Sequence, residues 1–429
     1  MTSSAGPLDF ARYPDPTSAY RRLPQCPPLH SIGRLHDATA IIAHLAFEES
    51  RLTRGSAHVI DSGGCVACLA LSSSRIRECP MTPTPDRETL HILIASPLEA
   101  DQVARIAGAA PDRAVVIHVP DLLPTPKYVA DHNGTKPQLG EVEKARWLEL
   151  LADADILFDF DWLAPERLPE TAPRLRWVQG TSAGVGEFLE RTGLARSSIL
   201  ITTAAGVHAS ALAEFTLLGL LYFRRRVPWL LERQAMHSWQ RYTNRELAGT
   251  RVLVVGLGAV GREIARTLAA LGLEVWGSRR SPDPTMPLGV TRLVTAAELR
   301  AVLPHVQALV LSCPLTKATR HMIGRAELAA LSPESVLVNV GRGALIEEPQ
   351  LIAALREKRI AGAVLDVFET EPLPPDNPLW DMPNVLVSPH SASTVEAENR
   401  RIVDLFIANL HRYLAGQTLI NQYGRDRGY

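Results

Sequence analysis

The stretch "RVLVVGLGAVGREIARTLAALG" limits what this chain can fold into more than any other. A short apolar run leads into glycines at 256, 258 and 261, and Ile264, Leu268 and Leu271 then recur at helical spacing. Strand, Gly-x-Gly-x-x-Gly turn and amphipathic helix together open a dinucleotide-binding βαβ unit. Gly256 permits the tight turn, Gly258 lets the backbone approach a pyrophosphate, and Gly261 lets helix and strand pack closely. Ala259 and Val260 fall in the first helical turn, where free N–H groups and the dipole favour an anion.

Strand candidates alternate with helical segments on both sides of this unit. Before it come "LHILIAS" (90–96), "AVVIHV" (114–119), "ADILFDF" (154–160), "LRWVQG" (175–180) and "ILITTA" (199–204), then one long helix over about 207–236. From "RVLVVG" (251–256) the series continues with "LEVWGS" (273–278), "ALVLSC" (308–313), "SVLVNV" (335–340), "AGAVLDV" (361–367) and "NVLVSP" (384–389), and a helix over about 394–414. Such alternation builds parallel sheets covered by helices. The expected fold class is α/β, with two Rossmann-like parallel-sheet domains in tandem.

Residues 1–88 read differently. "YPDPTSAYRRLPQCPPLH" is rich in proline and turn residues, and "ECPMTPTPDRE" has the composition of a linker. A poorly ordered N-terminal extension is expected here, and translation starting at Met81 is one hypothesis. An intact mass that includes residues 1–80 would sink it. "CVAC" at 65–68 has no second pair of ligands at zinc-like spacing, so no metal is expected. The formal net charge is −1, which offers no case for nucleic acid or an anionic membrane. The start lacks the pattern of a secretory signal, and the apolar run 209–223 is short and carries Glu214. A cytoplasmic protein with a small-molecule partner is expected.

The end of the second nucleotide-site strand reads "GSRR". An acid there would accept bonds from ribose hydroxyls and repel a 2′-phosphate. Arg279, flanked by Ser278 and Arg280, can instead grip a phosphate through two parallel bonds. NADP(H) is therefore the preferred cofactor, with NAD(H) possible. The 224–226 arginine run, before Pro228, is expected on a solvated helix face.

Three later stretches carry chemistry. "NVGRGALIEEPQL" places Arg342 between glycines, "LDVFETEPLPPDNPLW" offers Asp366 and Glu371, and "NVLVSPHSAS" offers His390. All follow strands of one parallel sheet, at the edge where ligands collect. Reduction of a 2-keto acid needs a cation to hold the carboxylate and polarise the carbonyl, which suits Arg342. It needs a proton donor for the developing alkoxide, which suits His390. Glu371 would orient the imidazole and favour its protonated form, and Asp366 could bond a nicotinamide carboxamide. Cys313 is expected to be a small packed side chain.

On these motifs, with "PLTKATRHMIG" (314–324), the chain resembles the D-isomer-specific 2-hydroxyacid dehydrogenase family over about residues 90–416. "GSRR" points to its NADP-preferring glyoxylate/hydroxypyruvate reductase-like branch. The resemblance implies an Arg, Glu and His triad at Arg342, Glu371 and His390. It puts Pro314, Thr319, Val340, Gly341, Arg342, Asp366 and His390 beside the cofactor. It also implies a discontinuous substrate domain, residues 89–206 with 391–429, around an inserted dinucleotide-binding domain at 207–390. In "TSAGVGEF" (181–188), N–H groups near Ala183, Gly184 and Val185 would bind the substrate carboxylate, although Gly186 stands where aspartate is common. The keto acid's side chain would meet the substrate domain, around "FDFDWLAP" (158–165) and Trp239. A homodimer is implied. Two other readings stay open: a formate- or phosphite-type dehydrogenase, and a dinucleotide-sensing corepressor. Arg279 counts against the second, because such sensing uses NAD(H); near-zero charge and the lack of a long polar tail weigh the same way.

Overall fold

In the computed structural model, residues 89–280 and 285–425 are described. The expectations for the N-terminal extension, Met81 and the 65–68 cysteines lie outside the described residues.

The first sheet holds β1 (Leu90–Ile94), β2 (Ala114–Ile117), β3 (Ile156–Phe158), β4 (Trp177–Gln179) and β5 (Leu200–Thr202), all parallel, in the order β2-β1-β3-β4-β5. The second holds β6 (Arg251–Val255), β7 (Glu274–Ser278), β8 (Val290–Val294), β9 (Ala308–Leu311), β10 (Val336–Asn339), β11 (Gly362–Leu365) and β12 (Val385–Val387). It too is parallel, in the order β12-β11-β10-β9-β6-β7-β8. The order reverses beside β6, and the crevice at such a reversal is where ligands bind.

Both sheets are apolar on both faces, which is why their strands read as continuous apolar runs. Along β6, Leu253 and Val255 enter one core while Val252 and Val254 enter the other. Among helices of six residues or more, the first lobe has α1 (Ala100–Ala109), α2 (Glu141–Asp153) and α3 (Gly186–Thr192). Then come α4 (Ala209–Arg224), α5 (Val227–Ala235), α6 (Ala259–Ala270), α7 (Arg325–Ala330), α8 (Glu348–Arg356) and α9 (Glu398–Leu414). The last helix returns to the first sheet. Its Phe406 stacks on Trp177 at 5.1 Å and meets Phe158 edge-on, within the core shared by Ile92, Ile402 and Leu410.

Three expectations change. The helix expected over 207–236 is two helices, α4 and α5, with Arg226 left-handed at φ 55° between them. Pro228 has no N–H to give and its ring crowds the carbonyl four residues back, so one continuous helix cannot pass through it. The arginines at that break are not all solvated. Arg224 is half-buried and donates to Thr250 Oγ1 at 2.8 Å, while Arg225 and Arg226 are exposed as expected. Third, β8 was not legible: "VTRLV" exposes Thr291 and Arg292 at the sheet edge, so it lacks the apolar run of its neighbours.

Candidate active site

The glycine turn begins where β6 ends. Gly256 has φ 101°, and a Cβ there would meet the backbone of Cys313 at 2.6 Å. Only glycine suits that turn. Gly261 packs so closely that a Cβ would meet Gly256 O at 1.8 Å, which brings α6 against its strand. Gly258 is the opposite: exposed, with nothing within 4 Å of where its Cβ would stand. Ala259 and Val260 then open α6, twelve residues long. Tight packing behind and open space in front, at a helix N-terminus, fit a dinucleotide pyrophosphate.

Ser278 ends β7 and is buried; Arg279 is half-buried and Arg280 exposed. Arg279 Nη2 donates to Thr285 O at 2.7 Å, so the guanidinium is already held against the following loop. After β9, Cys313 is buried beside Met322, and burial pushes its thiol up to about 11, which makes it no nucleophile. Pro314 is exposed. Thr319 Oγ1 donates to Pro314 O at 2.8 Å and receives Thr316 N–H, so this hydroxyl folds its own loop.

Arg342 follows β10, after the buried Val340 and Gly341. Its Nη1 donates to Gly341 O at 2.7 Å, and its Nη2 donates across the cleft to Gly184 O at 3.1 Å. A Cβ on Gly184 would fall 1.5 Å from that Nη2, so glycine there lets the guanidinium sit against the loop. Among the described residues, none accepts a hydrogen bond from the backbone N–H of Ala183, Gly184 or Val185. The Arg342 guanidinium thus meets the 183–185 loop between the two lobes, at the Gly184 carbonyl. Burial draws the Arg342 pKa down from its ordinary value, against the charges of Glu371 and Glu187.

Asn339, wholly buried, staples this turn: its Nδ2 donates to Arg342 O at 2.9 Å and its Oδ1 accepts from Gly341 N at 3.1 Å. Sequence reasoning missed it, although a polar residue closing an otherwise apolar strand was a visible signal. Gly343 was missed too; its Cβ would strike the Phe368 carbonyl at 1.9 Å, so glycine lets the Arg342 turn lie against the Glu371 loop.

His390 Nδ1 stands 2.7 Å from Glu371 Oε2, while Glu371 Oε1 accepts from Phe368 N at 3.0 Å. The bond to Glu371 raises the His390 pKa above its ordinary value, against desolvation. Burial opposes ionisation of Glu371, but the bonds from His390 and Phe368, with the Arg342 charge, hold its pKa below the usual carboxylate value. His390 is also left-handed, at φ 55°, a conformation that surrounding contacts must hold. Asp366 holds it. Its carbonyl accepts His390 N–H at 2.9 Å, and its buried Oδ1 accepts from Ser388 Oγ, Ser391 N and Ala392 N at 2.6, 2.9 and 2.9 Å. Asp366 is thus the scaffold of the turn that presents the imidazole.

The structure therefore brings Arg342, Glu371 and His390 to one sheet edge, opposite the 183–185 loop. Trp239 is 97% exposed.

Residues 217–392 match the family described as D-isomer specific 2-hydroxyacid dehydrogenase, NAD binding domain. A glyoxylate reductase of Aeropyrum pernix is 33% identical over 267 residues, which cover 59% of this chain and 78% of that protein. The chain belongs to the D-isomer-specific 2-hydroxyacid dehydrogenase family. It is an NAD(P)-dependent oxidoreductase acting on small 2-hydroxy or 2-keto acids. Two solved members share its fold over 80% of this chain and all of theirs. One, from Xanthobacter autotrophicus in complex with NADPH and MES, is 29% identical with a TM-score of 0.64. The other, an NADPH-dependent glyoxylate/hydroxypyruvate reductase of Sinorhizobium meliloti in complex with NADP and sulfate, is 27% identical, also at 0.64. No helix among the described residues is long and apolar enough to cross a membrane.

Proposed function

We propose that this dehydrogenase reduces a small 2-keto acid of the glyoxylate or hydroxypyruvate type to a D-2-hydroxy acid, with NADPH preferred over NADH. The observation that carries it is the pairing of Arg342 with the 183–185 loop across from the His390–Glu371 pair. NADPH, when bound at the glycine turn, supplies the hydride. Arg342 and the N–H groups of Ala183, Gly184 and Val185 hold the substrate carboxylate, and Arg342 also polarises the carbonyl. Protonated His390 gives its proton to the developing alkoxide, and Glu371 keeps the imidazole oriented and charged until then. The two lobes close around the reacting atoms and exclude water.

Arg279 at the end of β7 supports NADPH, since a guanidinium there can turn from Thr285 O to a 2′-phosphate. The named relatives favour the same reading: the proteins of Sinorhizobium meliloti and Aeropyrum pernix carry names of glyoxylate reduction. We further propose the homodimer of the family.

The test is the oxidation rate of NADPH and of NADH with glyoxylate, hydroxypyruvate, pyruvate and phenylpyruvate. Turnover with NADPH well above NADH is expected. Preference for NADH keeps the reaction and removes the role of Arg279. Dinucleotide binding without turnover of any keto acid overturns the reaction.

A further inference from the structure

The loop that faces Arg342 continues into Glu187, whose Oε1 stands 3.5 Å from Arg320 Nη2. Glu187 belongs to the first lobe and Arg320 to the loop after β9, so the pair spans the cleft beside the Arg342–Gly184 bond. Both side chains are more than half exposed, at 69% and 52%. An exposed pair of this kind adds little stability. Its field is another matter. Glu187 lies three residues beyond Gly184, which accepts the Arg342 bond, and its charge acts on the Arg342 guanidinium together with that of Glu371.

A charge count shows what that means for a substrate. Arg342 is neutralised by the first carboxylate of a bound 2-keto acid. Protonated His390 is matched by Glu371, and Arg320 by Glu187. Among these five groups no unmatched cation is left for a second carboxylate. On a short acid that second carboxylate lies only a few bonds from the first, which the proposed reading places at the loop that runs on into Glu187. At such distances in partly screened surroundings a unit charge changes binding on the order of tenfold.

We infer that Glu187 is a specificity-determining residue that disfavours 2-keto acids with a second anionic group, and that Arg320 moderates it. The inference rests on the proposed reading of Arg342 and the 183–185 loop as the holder of the substrate carboxylate.

The test compares kcat/KM for two matched pairs: 2-ketobutyrate against oxaloacetate, and 2-ketovalerate against 2-ketoglutarate. NADPH is the reductant, at low and high salt, with glyoxylate as a reference. Wild-type enzyme is expected to favour the monoanion of each pair. Glu187→Gln is expected to raise the dianion-to-monoanion ratio about tenfold, and Arg320→Gln to lower it; both changes shrink as salt rises, because exposed charges are screened. A ratio that Glu187→Gln leaves unchanged, or a loss shared equally by monoanions and dianions, overturns the inference while leaving the reaction standing. Absence of turnover with any keto acid in the wild type overturns the proposed reaction and this inference with it.

Discussion

The two ends of the carboxyl edge of the seven-stranded sheet are built on different terms. Around β10 to β12 the protein supplies its own partners. Asn339 holds the Arg342 turn, Asp366 holds the His390 turn, and Glu371 holds the imidazole. Around β6 and β7 the packing is finished behind the glycine turn and open in front of it, at Gly258. One end is arranged in advance, as catalysis by fixed charges and donors requires. The other is a cradle whose remaining donors await a ligand. Substitutions at the first end should therefore alter chemistry, and those at the second should alter which dinucleotide binds.

The hardest test of that contrast is His390→Ala. Loss of the general acid is expected to cut kcat on the order of 10²–10⁴-fold, with the dissociation constant of NADPH, read by fluorescence titration, little changed. A near-normal kcat would take His390 out of the proton-transfer role. Gly184→Ala comes next. Its Cβ would stand 1.5 Å from Arg342 Nη2, so the guanidinium must move. Displacement of a positioning group by this order of distance costs about 10²-fold in kcat/KM, and retention of wild-type kinetics would show that the Arg342–Gly184 contact is dispensable.

At the other end, Arg279→Asp is expected to weaken NADPH by about 1–3 kcal/mol, the range for charge-assisted bonds. Rates at saturating cofactor should hold. Equal effects on NADPH and NADH would place Arg279 away from the 2′-phosphate. The smallest effect is a shift in pH. The His390 pKa stands above its ordinary 6.5, so keto acid reduction should stay high through neutrality and fall as pH rises through that raised value. Glu371→Gln removes the largest cause of the rise, and the falling limb of kcat/KM should move to lower pH. A limb that stays in place would mean another group titrates. The same sign governs stability. The contribution of His390 is full below its ordinary pKa and is lost as pH rises through the raised one. That of Glu371 is present above its ordinary 4.5 and is lost as pH falls through its depressed value.

Much of this was legible in the residues, for reasons that can be named. All but one of the strands follow from apolar runs, because a sheet covered on both faces buries every side chain of a central strand. The exception, β8, lies at the edge, where Thr291 and Arg292 face water. The glycine fingerprint was legible because close packing against Cys313 and Gly256 O admits no side chain. The break between α4 and α5 could have been read from Pro228.

What the sequence by itself determined is local: which segments bury both faces, where the backbone must bend or approach closely, and which side chains can carry charge or a proton. These follow from residue type and short-range spacing. Only the tertiary structure decided what meets what. Gly184 and Arg342 are 158 positions apart and Glu187 and Arg320 are 133 apart, yet each pair closes one cleft. Asp366, which its place at a strand end offered to the cofactor, has its Oδ1 claimed by three donors from the His390 turn. The reason is physical: a buried polar atom is satisfied by whatever donor the fold brings within about 3 Å, and that neighbour is set by the packing of two sheets rather than by any spacing along the chain.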